Sequence, residues 1–227
     1  DCYTLTIQAF NYAEEFRCPV FIASNKEIGM TKESIDLDAL TLPDLVDRTP
    51  YEGDSFLPFQ AEPDKAPPFL PIGGKTLVRQ TSSTHGPDGY ITIDPDLITE
   101  NQERLRNKIL SAEARIALHE ETHREGADTL VISYGVTSKA VEDACDRLEK
   151  EGSPVSCLNL KTLWPVPKTL IREQAAPYKR IIVPEMNLGQ YVGEIKKVLP
   201  DKETIFYGQM NGVLITPEKI MEVINNG

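Results

Sequence analysis

Clustered cysteine is the first thing this 227-residue sequence lacks. Its four cysteines, Cys2, Cys18, Cys145 and Cys157, are scattered and form no C-x-x-C pair, which excludes a zinc or iron–sulfur centre built by this chain alone. Positive charge is also scarce: 24 Lys and Arg face 35 Asp and Glu, a net −11. Nucleic acid and anionic membranes would repel such a chain, and an acidic protein would be a poor docking partner for it. No apolar run approaches the roughly 18 residues that a membrane helix needs, so a spanning role is not expected. The opening "DCYTLTIQAF" has no basic region followed by an apolar stretch, hence no signal peptide pattern. Free thiols in a chain with no export signal suit a reducing cytoplasm. The start also lacks Met and falls inside an amphipathic helical pattern, so the chain reads as the rear part of a longer polypeptide.

Catalytic side chains are sparse as well. No Ser–His–Asp order, carboxylate pair or ligand cluster stands out. Of three histidines, His119 and His123 lie at i, i+4 in "HEETH", which formally matches the zinc-protease H-E-x-x-H motif. The flanks "ARIAL" and "REGAD" offer no third ligand, and a solvated helix end is the expectation there.

What the sequence does hold falls into three regions, 1–48, 49–124 and 125–227. In the first, Leu5, Ala9, Tyr12, Ala13 and Phe16 recur at helical spacing, and "CPVFIASN" reads as a buried strand. The second holds most of the 17 prolines. Proline removes backbone donors and fixes φ, so this region reads as an extended arm whose Phe56, Phe59 and Phe69 pack on a neighbouring body. Two short strands are expected around "HGPDG", then one long polar helix from about 97 to 124. The third region alternates: strand "DTLVISYG", helix "VTSKAVEDACDRLEKEG", strand "PVSCLNL", helix "PKTLIREQ", strand "KRIIVPE", helix "GQYVGEIKKVL", strand "ETIFYG" and helix "TPEKIMEVINN". Four β–α units predict an α/β fold, a mostly parallel, doubly wound sheet whose ligand or partner surface lies beyond the carboxyl ends of its strands.

That edge has four corners: "YGVTSK", "LKTLWPVP", "PEMNLGQ" and "YGQMNGVLITPE". Each opens on a helix N-terminus, where unpaired N–H groups offer a place for an anion such as phosphate. Plain strand-to-helix capping serves equally well for any one corner taken alone. The candidate interface or anion-facing residues are Thr137, Ser138, Trp164, Glu185, Asn187, Gly189 and Gln190. Trp164 is the lone tryptophan, with burial at an interface its favoured role. Glu185 ends a buried strand, where a carboxylate must be paired or wet.

"DTLVISYGVTSKAVEDACDRLEKEGSPVSCLNLKTLWPVPKTLI" and "YKRIIVPEMNLGQYVGEI" resemble the second domain of the alpha subunit of 2-oxoacid:ferredoxin oxidoreductases. "LTIQAFNYAEEFRCPVFIASNKEIGM" is similar to the end of that subunit's first domain, and "HGPDGYITIDP" to its inter-domain H-D-E-x-G stretch. Asn25 and Lys26 stand where the family has an acidic residue, and Thr84 where it has Glu before the His. The resemblance implies a transketolase C-terminal-like domain over 125–227, preceded by the tail of a thiamine-pyrophosphate pyrimidine-type domain over 1–48. It implies an alpha subunit of an enzyme that decarboxylates a 2-oxoacid, with 2-oxoglutarate the first choice, to an acyl-CoA and passes electrons to ferredoxin. Thiamine pyrophosphate, Mg²⁺ and a 4Fe–4S cluster would belong to a beta subunit, CoA to the assembled enzyme, and ferredoxin would dock on partner subunits, with small gamma and delta subunits as further candidates. The family's catalytic glutamate lies in an opening segment not matched here, so no catalytic residue carries over. The open alternatives are the beta chain of a 2-oxoacid dehydrogenase or a transketolase-like enzyme, and a non-catalytic anion- or nucleotide-binding α/β module.

Overall fold

The structure, a computed structural model, describes residues 1–226. In chain order its elements are helices α1 (Cys2–Phe16), α2 (Lys26–Met30), α3 (Pro95–Leu110) and α4 (Glu113–Ile116), then β1 (His119–Thr122), β2 (Thr129–Tyr134), α5 (Thr137–Lys150), β3 (Ser156–Leu160), α6 (Lys168–Ala175), β4 (Arg180–Glu185), α7 (Gln190–Val198), β5 (Glu203–Gly208) and α8 (Pro217–Asn226). They form two compact units. One comprises residues 1–23 and 32–112, the other residues 24–31 and 113–227. Among the described residues no helix is long and apolar enough to cross a membrane.

The second unit is built on a five-stranded sheet of order β1-β3-β2-β4-β5. β2, β3, β4 and β5 pair in parallel, and β1 joins β3 antiparallel at one edge. Alternation along the central strands supplies two apolar faces. Leu130, Ile132, Ile181 and Val183 face Ile171 of α6 and Ile195 of α7. Val131 and Ile182 face Val141 and Leu148 of α5 and Ile220 and Ile224 of α8. Helices therefore cover both faces, as four β–α units require. The expected strand and helix positions in 125–227 agree with the structure to within a few residues at each end.

Several expectations before residue 125 fail. The single helix running to about residue 124 ends at Leu110, and "HEETH" lies on β1, not on a helix. Its polar residues suit an edge strand, which meets solvent along one side and is protected by charge. On that strand His119 and His123 each approach Glu121 at 3.7 Å. Arg124, read as part of an exposed end, is buried. It bonds the Val155 carbonyl at 3.0 Å and Glu149 at 3.0 Å, and pairs with Asp146. "CPVFIASN" is not a buried strand either: Phe21 is 90% exposed, and no described strand pairs with the segment. An apolar, β-branched run becomes a strand only beside a partner strand.

In the first unit side chains of α1 and of Arg17 just after it donate to carbonyls of the segments that follow, while the proline arm also pairs with itself, the Tyr51 and Phe69 N–H groups bonding the Phe69 and Thr49 carbonyls. Asn11 bonds the Asp44 carbonyl at 2.7 Å, and Arg17 bonds those of Pro67 and Pro68 at 2.9 and 3.1 Å. Phe69 lies under the Arg48 guanidinium at 4.5 Å, Phe59 stacks on His85 with centroids 3.5 Å apart, and Phe56 meets Tyr51 edge-on. The expected strands around "HGPDG" shrink to one bridge between His85 and Ile91.

Leu158, fully buried on central β3, reports on the sheet's packing. Truncation to Ala is expected to destabilise the second unit by about 2–5 kcal/mol in chemical denaturation, by creating a cavity that the helices cannot collapse into.

Candidate functional site

The corner that leads from β4 into α7 is closed by two side chains. Helices begin with four N–H groups that have no intrahelical partner. Here the Asn187 carboxamide oxygen accepts from the N–H of Gly189 (2.7 Å) and of Gln190 (3.1 Å). The Glu185 carboxylate accepts from those of Tyr191 (3.1 Å) and Val192 (2.5 Å). All four donors are satisfied from the strand that precedes them. Gln190 returns the favour by accepting from the Leu188 N–H at 3.1 Å. None of these N–H groups is left for an outside anion, so this corner is a cap.

Gly189 permits the turn. Its φ of 95° is open to glycine and strained for other residues, and an added Cβ would meet Val192 and Phe206 at 3.2 and 3.3 Å.

Glu185 does more than cap. Only 1% of it is exposed, yet it reaches all the neighbouring strands of this edge. Tyr134, at the end of β2, donates its hydroxyl to the carboxylate at 3.0 Å and accepts from the Asn187 amide at 2.9 Å. The Glu185 carbonyl accepts from Gln209 N–H, after β5, at 3.0 Å. Tyr191 donates its hydroxyl to the Leu163 carbonyl in the "LKTLWP" corner at 3.2 Å, and its ring meets Tyr134 edge-on. Three corners thus meet at Glu185, two through its carboxylate and one through its backbone carbonyl, and Tyr191 links the fourth to them. Burial, followed by the Glu185 charge, pushes the Tyr134 phenol from 10.0 up to about 12. The Tyr191 phenol is raised too, chiefly by burial.

In the "YGVTSK" corner Thr137 and Ser138 are buried. Ser138 donates to the Asn159 side chain at 2.7 Å and accepts from Ser133 at 3.2 Å, which ties the start of α5 to β2 and β3. Thr137 is buried beside it and borders a shallow, largely apolar cavity of about 300 Å³ shared with Met186, Ile215 and Pro217. Two side chains of the edge point the other way: Trp164 is 73% exposed and Leu188 is 74% exposed. Both sit on loops that the Tyr191 and Asn187 hydrogen bonds hold.

Of the expected residues, the structure joins Glu185, Asn187, Gly189 and Gln190 in one network and sets Thr137 and Ser138 in another. Trp164 stands outside both. Tyr134, Tyr191 and Gln209 were missed. Alternation puts Tyr134 on the face of Leu130 and Ile132, and Glu185 on that of Ile181 and Val183, but only the pairing of β2 with β4 brings them together.

Residues 127–220 match the family model described as pyruvate:ferredoxin oxidoreductase core domain II. The chain is 33% identical to 2-oxoglutarate synthase subunit KorA of Methanothermobacter thermautotrophicus, over 99% of this chain and 60% of that protein. It is 31% identical to the subunit of the same name from Methanocaldococcus jannaschii, with the same coverage. The chain thus spans about three fifths of the length of these relatives. Its fold matches that of a 2-oxoglutarate:ferredoxin oxidoreductase from Magnetococcus marinus, with a TM-score of 0.83 at 24% identity, over 100% of this chain and 40% of that one.

Tyr134→Phe removes a donor to Glu185 and an acceptor for Asn187. It is expected to cost about 1–3 kcal/mol by denaturant unfolding at neutral pH. Because folding raises the phenol's proton affinity, its contribution is complete below about pH 10 and is lost as pH climbs through about 12. The variant should lack that alkaline loss.

Proposed function

We propose that this chain, whose sequence corresponds to the C-terminal portion of 2-oxoacid:ferredoxin oxidoreductase alpha subunits, is the framework part of such an enzyme. The observation that carries the reading is the identity of 33% with a 2-oxoglutarate synthase subunit, sustained over 99% of the chain. On this reading the assembled enzyme decarboxylates a 2-oxoacid, 2-oxoglutarate first, forms an acyl-CoA and delivers electrons to ferredoxin. Region 125–227 acts as its transketolase C-terminal-like domain, region 49–124 as a strap, and region 1–48 as the end of a pyrimidine-type domain.

Among the described residues no three His, Cys, Asp or Glu side chains gather to hold a metal ion, and Cys145 and Cys157 are buried in the apolar layer between β3 and α5. On this reading thiamine pyrophosphate, Mg²⁺ and the 4Fe–4S cluster belong to other parts of the assembly, in the cytoplasm. The net charge of −11 favours docking of an acidic electron acceptor on a less acidic partner subunit. What this chain supplies is a stiff edge. The Glu185 network fixes the corners, and Trp164 and Leu188 present apolar surface for the partner subunit, where buried aromatic anchors contribute most of the binding energy.

The test is co-expression of the full alpha chain with its partner subunits. The complex is expected to contain iron, to turn over 2-oxoglutarate with CoA, and to reduce ferredoxin. A complex without iron, or one that needs lipoamide, overturns the assignment. Within that complex, Trp164→Glu and Leu188→Glu should each weaken subunit association by about tenfold or more, read by analytical ultracentrifugation, with the melting temperature of the isolated chain unchanged. Unaltered association would remove the edge from the interface.

A further inference from the structure

In an acidic protein, the first unit buries a guanidinium, that of Arg104, with no carboxylate against it. α3 carries Asn101, Arg104 and Lys108 at i, i+3 and i+7, on a single face. That face is the buried one: Arg104 is 7% and Lys108 5% exposed, while Leu105 and Leu110 of the same helix lie in solvent. Burial lowers the proton affinity of both, and Arg17, just after α1, adds to the effect, while Cys18 opposes it at Lys108. Among the described residues no carboxylate pairs with Arg104 or Lys108; the Lys108 ammonium is not among the buried atoms without a partner, so its tip keeps contact with solvent. A buried ion without a counter-ion costs several kcal/mol, so such groups are normally paired or bound to something.

Arg104 also lines an open cavity of about 300 Å³, together with Ser83, Thr84, His85, Asn101 and Gln102, with Phe59 and Leu105 as its apolar wall. Two of its five N–H donors are taken, by the Lys65 carbonyl at 3.1 Å and the Asn101 side chain at 3.0 Å. The remainder are free for an acceptor. His85 adds a second unused group: its Nδ1 is buried and has no hydrogen-bond partner. Hydroxyls, carboxamides, a ring nitrogen and an unneutralised guanidinium around one small volume form a donor-rich pocket, backed by the charge of Lys108.

We infer that this pocket is a binding site for a small anion bearing a carboxylate or phosphoryl group, with Arg104 as its main contact, Ser83, Thr84 and His85 as flanking donors, and Lys108 as supporting charge. The size of the cavity suits a single small acid or phosphate, not a nucleotide. An anion seated on Arg104 neutralises the charge that the fold leaves unpaired, and charge-assisted bonds to a guanidinium are among the strongest available. The inference stands apart from the reading of the carboxyl edge, since every residue in it belongs to the other unit.

The test is titration of the folded chain with inorganic phosphate and, separately, with succinate, at ionic strength held constant with potassium chloride, followed by backbone amide shifts. Saturable shifts centred on residues 83–85 and 101–105 are expected. Affinity should fall by about tenfold or more in Arg104→Gln and by about threefold or more in Lys108→Met. Saturation by phosphate alone identifies a phosphoryl ligand, by succinate alone a carboxylate, and by both a site selective for charge. If neither anion gives saturable shifts in the unaltered chain, the site does not exist. Undiminished affinity in Lys108→Met, with its fold confirmed by its amide spectrum, likewise overturns the inference, and this variant decides the matter should Arg104→Gln fail to fold.

Discussion

One buried carboxylate organises the carboxyl edge of the sheet. Glu185 is almost fully removed from water, and isolated burial of such a group is among the costliest things a fold can do. The cost is offset because the carboxylate sits at the start of α7, where two N–H groups and the positive end of the helix dipole meet it, and where Tyr134 adds a third donor. The arrangement is all-or-none. Removing one donor leaves the carboxylate under-satisfied, so β2, β4, α7 and the loop after β5 are held to a single geometry.

The same rule of charge and burial is met differently at two other places. Arg124, at the opposite end of the sheet, is buried against a backbone carbonyl and carries Asp146 and Glu149 as partners, so its charge is complete within the fold. Arg104 is buried to a similar degree against a backbone carbonyl and a carboxamide but no carboxylate. Glu185 and Arg124 read as structure because their demands are met internally. The proposed anion site rests on the charge that Arg104 leaves without a carboxylate.

On the proposed reading this chain positions chemistry carried elsewhere in the assembly, and its hydrogen-bonded edge shows Trp164 and Leu188 outward. Stiffness matters for such a role. An apolar anchor on a loop already fixed by hydrogen bonds loses little conformational freedom when it meets a partner surface.

Period-two and period-3.6 patterns in 125–227 were enough to set the strands, the helices and the doubly wound class, because each element there buries a face that its own residues announce. The quoted segments "LKTLWP" and "VPEMNLGQ" carried the family resemblance, and Glu185 could be singled out as a carboxylate ending a buried strand. Three things were beyond sequence reasoning. "HEETH" could be told from a helix only by its pairing with β3, since a short polar edge strand has no periodicity of its own. "CPVFIASN" has every local mark of a strand and no described partner. Tyr134 and Glu185 lie 51 residues apart, and their hydrogen bond exists because β4 crosses to the far side of β2 from β3. Local pattern determines which side of an element is buried; only tertiary pairing decides what waits on that side, because contact between distant segments depends on strand order, which no single segment encodes.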